Sequence, residues 1–238
     1  MKKCLFLILL IVFCLGTAAA RGEGTNYIEK YAYEARPVAD ETGNSETVRM
    51  EIIHRPGETE YHSLIESSKN REEIRIKMDE EGRFISGTRK NLSFDDKLQS
   101  EGIIRREGNR ILLEENEAGD RRIKSYELTE GRRFAIDGSL LLLLRSFPFG
   151  SGEAWKIFMV DFSGYSITVD ASLGGSEMIE VPAGRFDCYR MEVVVDIPLL
   201  RPRLVYWLAK ERPHYLVKSI GKRGPLTETY VTDLVSKE

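Results

Sequence analysis

A chain of 238 residues with a formal charge of −3 and 31% charged side chains is long enough to bury a full core without disulfide staples. It is also too acidic to present the basic footprint that nucleic acid demands. Three cysteines and three histidines, scattered singly, offer no metal-ligand spacing, so neither a metal nor a cofactor is expected.

The first segment, MKKCLFLILLIVFCLGTAAA, has the layout of a secretory signal peptide. Lys2 and Lys3 form a positive start, Cys4 to Leu15 an apolar stretch, and Ala18 and Ala20 a small-residue cleavage site. The apolar run falls short of the roughly 20 residues a spanning helix needs. A lipid anchor on Cys14 would want a small residue before it, where bulky Phe13 stands. The expected organisation is therefore a signal peptide at 1–20, a single antiparallel β domain at 21–238, and a periplasmic, soluble product. Loss of Lys2 and Lys3 takes the formal charge from −3 to −5. Loss of Cys4 and Cys14 leaves Cys188 alone, so the exported domain has no internal disulfide.

From Asn26 onward the dominant period is two, broken by turn signals every eight to twelve residues, which is the pattern of an all-β sandwich or barrel. In Glu73–Asp79, Ile74, Ile76 and Met78 share one face and four charges the other, as in a half-buried antiparallel strand. Arg55-Pro56-Gly57-Glu58 joins 45–54 to 59–67. Asp79-Glu80-Glu81-Gly82, Arg106-Glu107-Gly108-Asn109 and Ala118-Gly119-Asp120 make further hairpins, each with a glycine for the positive φ of the turn. The series predicts a meander forming a strongly curved sheet or barrel. An outer-membrane barrel is excluded by Arg105-Arg106 and Arg121-Arg122, which put arginine on both faces of a strand.

One segment departs from the period. Residues 138–146 contain five consecutive leucines between Ser139 and Pro148; periodicity does not separate a helix from a buried strand over so short a run, and a short helix capped by Ser139 is the expectation. Strand character returns at 155–162, 165–173, 177–181, 185–197, 204–209, 215–220 and 226–235. Gly174-Gly175-Ser176 and residues 221–225 read as turns between them.

In VPAGRFDCYRMEV (181–193), Pro182 belongs at a strand end because it cannot donate a ladder bond, and Gly184 permits the reversal. Phe186, Cys188 and Arg190 fall on one face of the strand, with Tyr189, Met191, Val193 and Val195 on the other. A reactive thiol wants a His or Lys partner or a helix N-terminus; Cys188 has none nearby in sequence and reads as a small packed hydrophobe.

Other candidates fail individually. A turn at 55–58 pairs 54 with 59 and 51 with 62, placing His54 and His62 on opposite faces, where they cannot share a metal. His214 follows Pro213 in a turn and is expected to be solvated. Asp95-Asp96 and Glu114-Glu115 are adjacent and face apart. Gly150-Ser151-Gly152 lacks the spacing of a nucleophile elbow, and Gly221-Lys222-Arg223-Gly224 is not a phosphate loop. No catalytic, cofactor-binding or metal residue is assigned, and an enzyme is not expected.

Three stretches, SFPFGSGEAW (146–155), VPAGRFDCYRMEV (181–193) and VYWLAKERPHYLVK (205–218), together resemble a widespread family of bacterial cell-envelope domains of unknown function. The residues that carry the resemblance are Pro182, Ala183, Gly184, Phe186, Cys188, Tyr206 and Trp207, over roughly 140–238. It implies a periplasmic, strongly curved antiparallel sheet or barrel and transfers no catalytic residue.

Three function classes are carried forward. The first is a non-catalytic binding module holding a lipid or other hydrophobic envelope molecule in an apolar cavity, lined by the Tyr189–Val195 face, one face of Val205–Leu208 and the leucines of 140–144. The second is a structural or interaction protein that docks another envelope component, favoured if the core proves solid. The third is a hydrolase with an unrecognised site. The mature protein is expected to begin at Arg21; N-terminal sequencing that instead finds an acylated Cys14 would overturn the processing expectation.

Overall fold

The computed structural model describes residues 26–39, 45–117, 119–136, 138–197, 201–222 and 228–238. The expected signal peptide lies outside these residues, as do Ala118 and residues 223–225 of two expected turns. Alternating sequence produces β1 (Tyr27–Pro37), β2 (Glu46–Arg55), β3 (Glu58–Glu66), β4 (Asn70–Asp79), β5 (Phe84–Ser93), β6 (Leu98–Glu107), β7 (Arg110–Glu117) and β8 (Asp120–Glu127). After β9 (Arg133–Ile136) comes the helix α1 (Ser139–Arg145). The chain continues through β10 (Ala154–Val160), β11 (Ser166–Val181), β12 (Gly184–Val195), β13 (Arg203–Ala209), β14 (Leu216–Lys222) and β15 (Thr229–Lys237).

All fifteen strands belong to one sheet, in the order β8-β7-β6-β5-β4-β3-β2-β1-β15-β14-β13-β12-β11-β10-β9. The sheet is a strongly curved meander that does not close, and β8 and β9 are its two edges. Every ladder is antiparallel except that between β9 and β10. There the intervening segment carries α1, which lets the chain enter the neighbouring strand in the same direction.

The expected register of the first hairpin is observed: Glu51 lies opposite His62, and His54 opposite Thr59. Ile74, Ile76 and Met78 are buried, as the alternation of β4 predicts. One expectation is corrected. Gly174-Gly175-Ser176 is not a turn but an irregularity inside the sixteen-residue β11, where the register with β12 shifts between Leu173 and Gly175. Gly175 has a φ of 135°, so the strand bends at a residue without a Cβ and continues.

Cross-strand rungs show what the curvature does. Glu29, Ile52, Tyr61, Ile76, Gly87, Ile104 and Leu113 fall in line from β1 to β7 on the concave face. On the opposite face the corresponding rung is Lys30, Glu51, His62 and Arg75. That face is laced with ion pairs such as Arg55–Glu60 at 2.7 Å, Lys77–Glu60 at 2.8 Å and Arg49–Glu66 at 2.7 Å. The concave face is apolar and must be covered.

Two things cover it. The far end of the sheet curls back over the first half, and Phe162, in the β10–β11 turn, is fully buried against Gly87 and Gly102. A Cβ at Gly102 would meet the Phe162 ring at 3.0 Å and the Phe162 Cβ at 3.2 Å. The same turn accepts the Tyr126 hydroxyl on Gly164 O at 2.6 Å, and Phe84 packs edge-on to Phe134 at 5.4 Å. The second cover is α1, which buries Leu140, Leu141 and Leu144.

The helix lies where the leucine run places it, but its start differs from expectation. Ser139 is its first residue, and the N-cap is Gly138 at φ 82°. Ser139 Oγ instead accepts from Ile136 N at 2.7 Å and donates to Ile136 O at 3.0 Å. Only glycine suits the cap position, since a Cβ there would crowd Tyr61 and Ile76 at 3.2 and 3.3 Å in addition to the left-handed backbone. None of the described helices is long and apolar enough to cross a membrane.

Gly102→Ala forces Phe162 to shift and is expected to destabilise the fold by about 1–3 kcal/mol through overpacking, seen as a lower urea midpoint. An unchanged midpoint would mean that the two ends of the sheet are not pressed together at this point.

Candidate functional site: a buried carboxylate clasp at the rim

Glu29 sits near the start of β1 on the concave face, with its side chain only 8% exposed. A carboxylate so placed must be paired and hydrogen-bonded. Tyr31, two residues on and on the same face, donates its hydroxyl to Oε2 at 2.6 Å. His54, at the end of β2, puts Nε2 at 2.7 Å from Oε1. Arg145, the last residue of α1, brings Nη2 to 2.9 Å from Oε1 and 2.7 Å from Oε2. Its Nε donates to Pro213 O at 2.8 Å, so one guanidinium ties the helix end to both β1 and the β13–β14 connection.

Burial alone pushes the Glu29 pKa upward; the His54 contact, Arg145 and the Tyr31 hydroxyl outweigh it and hold the carboxyl below its ordinary value. Burial and the adjacent Glu29 charge drive the Tyr31 phenol strongly upward. Tyr27 stacks on the His54 ring, centroids 4.1 Å apart and planes at 15°. The other imidazole nitrogen, Nδ1, faces Thr59 Oγ1 at 3.4 Å.

Hydroxyl, imidazole and carboxylate thus stand in the order of an acyl-transfer relay. Three facts make the group a clasp instead. The Thr59–His54 contact is long, Glu29 shares its charge with Arg145 and Tyr31, and Tyr27 covers the imidazole. Two surface depressions, of about 220 and 280 Å³, lie elsewhere, one around Asp79, Phe84 and Arg106, the other around Arg49, His62 and Arg75. Both are below the roughly 300 Å³ at which small-molecule pockets begin. Among the described residues no group of His, Cys, Asp and Glu is arranged to hold a metal.

Sequence reasoning considered His54 only as a partner of His62 and missed Glu29, Tyr31 and Arg145. Glu29 and Arg145 are 116 positions apart, and no local pattern links them. The available signal was an acidic residue in phase with the apolar face of a strand, together with an arginine ending a leucine helix.

Of the other residues singled out, His214 is a correction. It is half-buried rather than free in solvent: its Nδ1 lies 2.9 Å from Ala209 O, and its ring meets Phe149 edge-on at 4.9 Å. Phe149 stacks in turn on Tyr189 at 4.1 Å. Cys188 is fully buried, and burial, with the nearby charges of Asp187 and Glu177, pushes its thiol up to about 12. It stays a thiol at neutral pH and packs. Pro182 and Ala183 form the tight β11–β12 turn, Gly184 has a φ of 127°, and Ala183 N donates to Leu234 O at 3.1 Å, fastening the turn to β15. Trp207 donates its indole N–H to Glu177 Oε1 at 2.6 Å. Met191 and Val193, expected to line a cavity, are fully buried core residues.

No known protein family matches the chain, and no curated protein matches it. Among solved structures, it is similar to a candidate lipoprotein from Parabacteroides distasonis, at 10% identity and a TM-score of 0.35 over 88% of this chain and 94% of that one. It is also similar to a candidate exported protein with a YmcC-like fold from Bacteroides fragilis, at 11% identity and a TM-score of 0.34 over 88% and 95%. Likeness at this level transfers no role to the chain.

Arg145→Met strands a buried Glu29 charge and is expected to cost about 3–5 kcal/mol at neutral pH, whereas Glu29→Gln with Arg145→Met costs less. Because the folded Glu29 pKa lies below its ordinary 4.5, its contribution is complete above that value and is lost as pH falls through the folded one. The stability gap between wild type and Glu29→Gln should therefore close on acidification. A gap that stays constant in urea titrations from pH 7 to pH 3 would show that folding leaves the Glu29 pKa unshifted, and a gap that widens on acidification would show a carboxyl held neutral in the fold.

Proposed function

We infer that the protein is an exported, non-catalytic interaction module of the cell envelope, one domain after removal of residues 1–20, that docks another envelope component. The observation that supports this most is its closely filled core. Leu140, Leu141 and Leu144 of α1 and Met191 and Val193 of β12, which would have to line a lipid cavity, are buried within one apolar cluster, and Phe162 packs against Gly87 and Gly102 between the two halves. A ligand inside would have to expel α1, whose end is held by Arg145. The export signal supports the compartment. The charged convex face is incompatible with a lipid-facing barrel wall, where each midplane Lys or Arg costs roughly 2–4 kcal/mol.

Lipid binding in the interior is the competing reading, and one experiment separates the two. Trp155 and Trp207 are both buried and report on the core. Delipidated protein titrated with fatty acids, phospholipids and glycolipids should show unchanged tryptophan fluorescence and melting temperature. Chemical crosslinking in intact cells should join it to a discrete, repeatedly recovered envelope protein. A saturable rise in melting temperature with one lipid, the mark of a ligand that binds the folded state, would reinstate the lipid reading.

A further inference from the structure

Strand β8 is an edge that pairs on one side only. Its ladder to β7 runs from Arg110 opposite Glu127 to Glu117 opposite Asp120, and Leu128 donates to Asn109 O at 2.8 Å. In an antiparallel ladder the residues that exchange both bonds recur at every second position. Counting from the Asn109–Leu128 pair, residues 126, 124, 122 and 120 bond to β7. The backbone groups of Arg121, Ile123, Ser125 and Glu127 point away from the sheet, and among the described residues no turn or loop bond reaches them.

This edge is held in place without being covered. Tyr126 and Lys124 reach across to Gly164 O at 2.6 and 3.2 Å, while Ile123 is 63% exposed. The opposite edge, β9, is blunted to four residues; β8 offers eight, roughly 27 Å of open backbone at about 3.4 Å per residue. Charged residues on an edge commonly serve only to prevent aggregation. Here an exposed isoleucine stands within the outward-pointing set, second of its four residues, where pure protection would place another charge.

The charges decide what can pair. Two registers would pair the whole strand with a second copy of itself in antiparallel fashion. Centred on Ile123, Arg122 falls opposite the partner's lysine twice; centred on Lys124, that lysine faces its own copy, and the two Arg121–Glu127 pairs of that register would compete with the existing pairs of Arg121 with Glu114 and of Glu127 with Arg110. Like charges directly opposite are destabilising. Among the described residues Arg122 has no ion pair, and Lys124 meets no carboxylate, its ammonium lying against the carbonyls of Ser163 and Gly164 and over the Tyr165 ring.

The geometry points to β8 as a strand-addition site for an extended acidic segment of a second protein, with carboxylates opposite Arg122 and Lys124 and an apolar residue between them, opposite Ile123. This rests on the docking reading above and names its surface. Main-chain bonds to the outward-facing residues would supply affinity, and the acid–apolar–acid alternation would supply choice of partner.

The test uses two synthetic nine-residue peptides, one alternating Glu and Val, the other Lys and Val, with binding read by fluorescence polarisation and backbone hydrogen exchange. The acidic peptide should saturate the protein and slow exchange of the Ile123 and Ser125 amides. Ser125→Pro removes one outward N–H and leaves the bonds to β7 intact; it should weaken binding at least tenfold with the melting temperature little changed. Arg122→Glu with Lys124→Glu should transfer preference to the basic peptide. Acidic-peptide binding that leaves those amides unprotected, or that survives Ser125→Pro, is diffuse electrostatics and overturns the proposal, as does no binding of either peptide. If cellular crosslinking to an envelope protein persists in Ser125→Pro, β8 is not the site and the docking reading stands. If crosslinking fails in the wild type as well, both fall.

Discussion

The architecture depends on two missing side chains. A fifteen-strand sheet with one apolar face has to bury that face, and the seven residues of α1 cannot cover it. The sheet must therefore cover itself, which requires its two ends to approach to within the length of a side chain. At Gly87 and Gly102 the concave face is open, and Phe162 occupies the space. Around that contact the Tyr126 hydroxyl and the Phe84–Phe134 pair join the same two ends. A side chain at Gly102 would press on Phe162, and one at Gly87 would press first on Ile136, whose Cδ1 would lie 2.6 Å from the new Cβ; either would push apart the two ends that bury Ile104 and Leu113.

The clasp at the rim answers a different need. Leucine packing fixes the depth of α1 but tolerates rotation and sliding, because aliphatic contacts have little directionality. The contact of one Arg145 nitrogen, Nη2, with both Glu29 oxygens, completed by Tyr31 and His54 and by the Nε bond to Pro213 O, has one geometry. A buried ion pair adds little to stability over a well-packed apolar pair, and its worth here lies in specifying where the helix ends. It also explains why a carboxylate in phase with the apolar face of β1 is tolerated.

Much of this was legible in the sequence and some was not, for physical reasons. Period-two alternation gave the strand class, and a turn of known length at 55–58 set the pairing of His54 and His62, since register follows from loop length. Five leucines bounded by proline marked α1. Contacts made across the curl were not legible. Phe162 against Gly87 and Glu29 against Arg145 join residues far apart in the chain, and such pairs follow from curvature, which no local pattern encodes. The bulge at Gly175 was misread as a turn because glycine serves both, and only the continued ladder on either side tells them apart. The turn around His214 predicts a solvated ring, but Phe149 and Tyr189, both distant in sequence, pack beside it and leave it half-buried.

On the docking reading the question of function moves to the surface, and the surfaces are unequal. The convex face of β1 to β6 carries charges of both signs, many of them paired across strands, as Glu60 is with Arg55 and Lys77. The far hairpin is fastened to β15 through Ala183. What is left over is backbone. Cross-strand ion pairs satisfy side chains, but only another strand or water satisfies the outward N–H and C=O groups of an edge. In a sheet that curls over itself without closing, the unsatisfied hydrogen bonds gather at β8, where recognition can use main-chain geometry in place of a cavity.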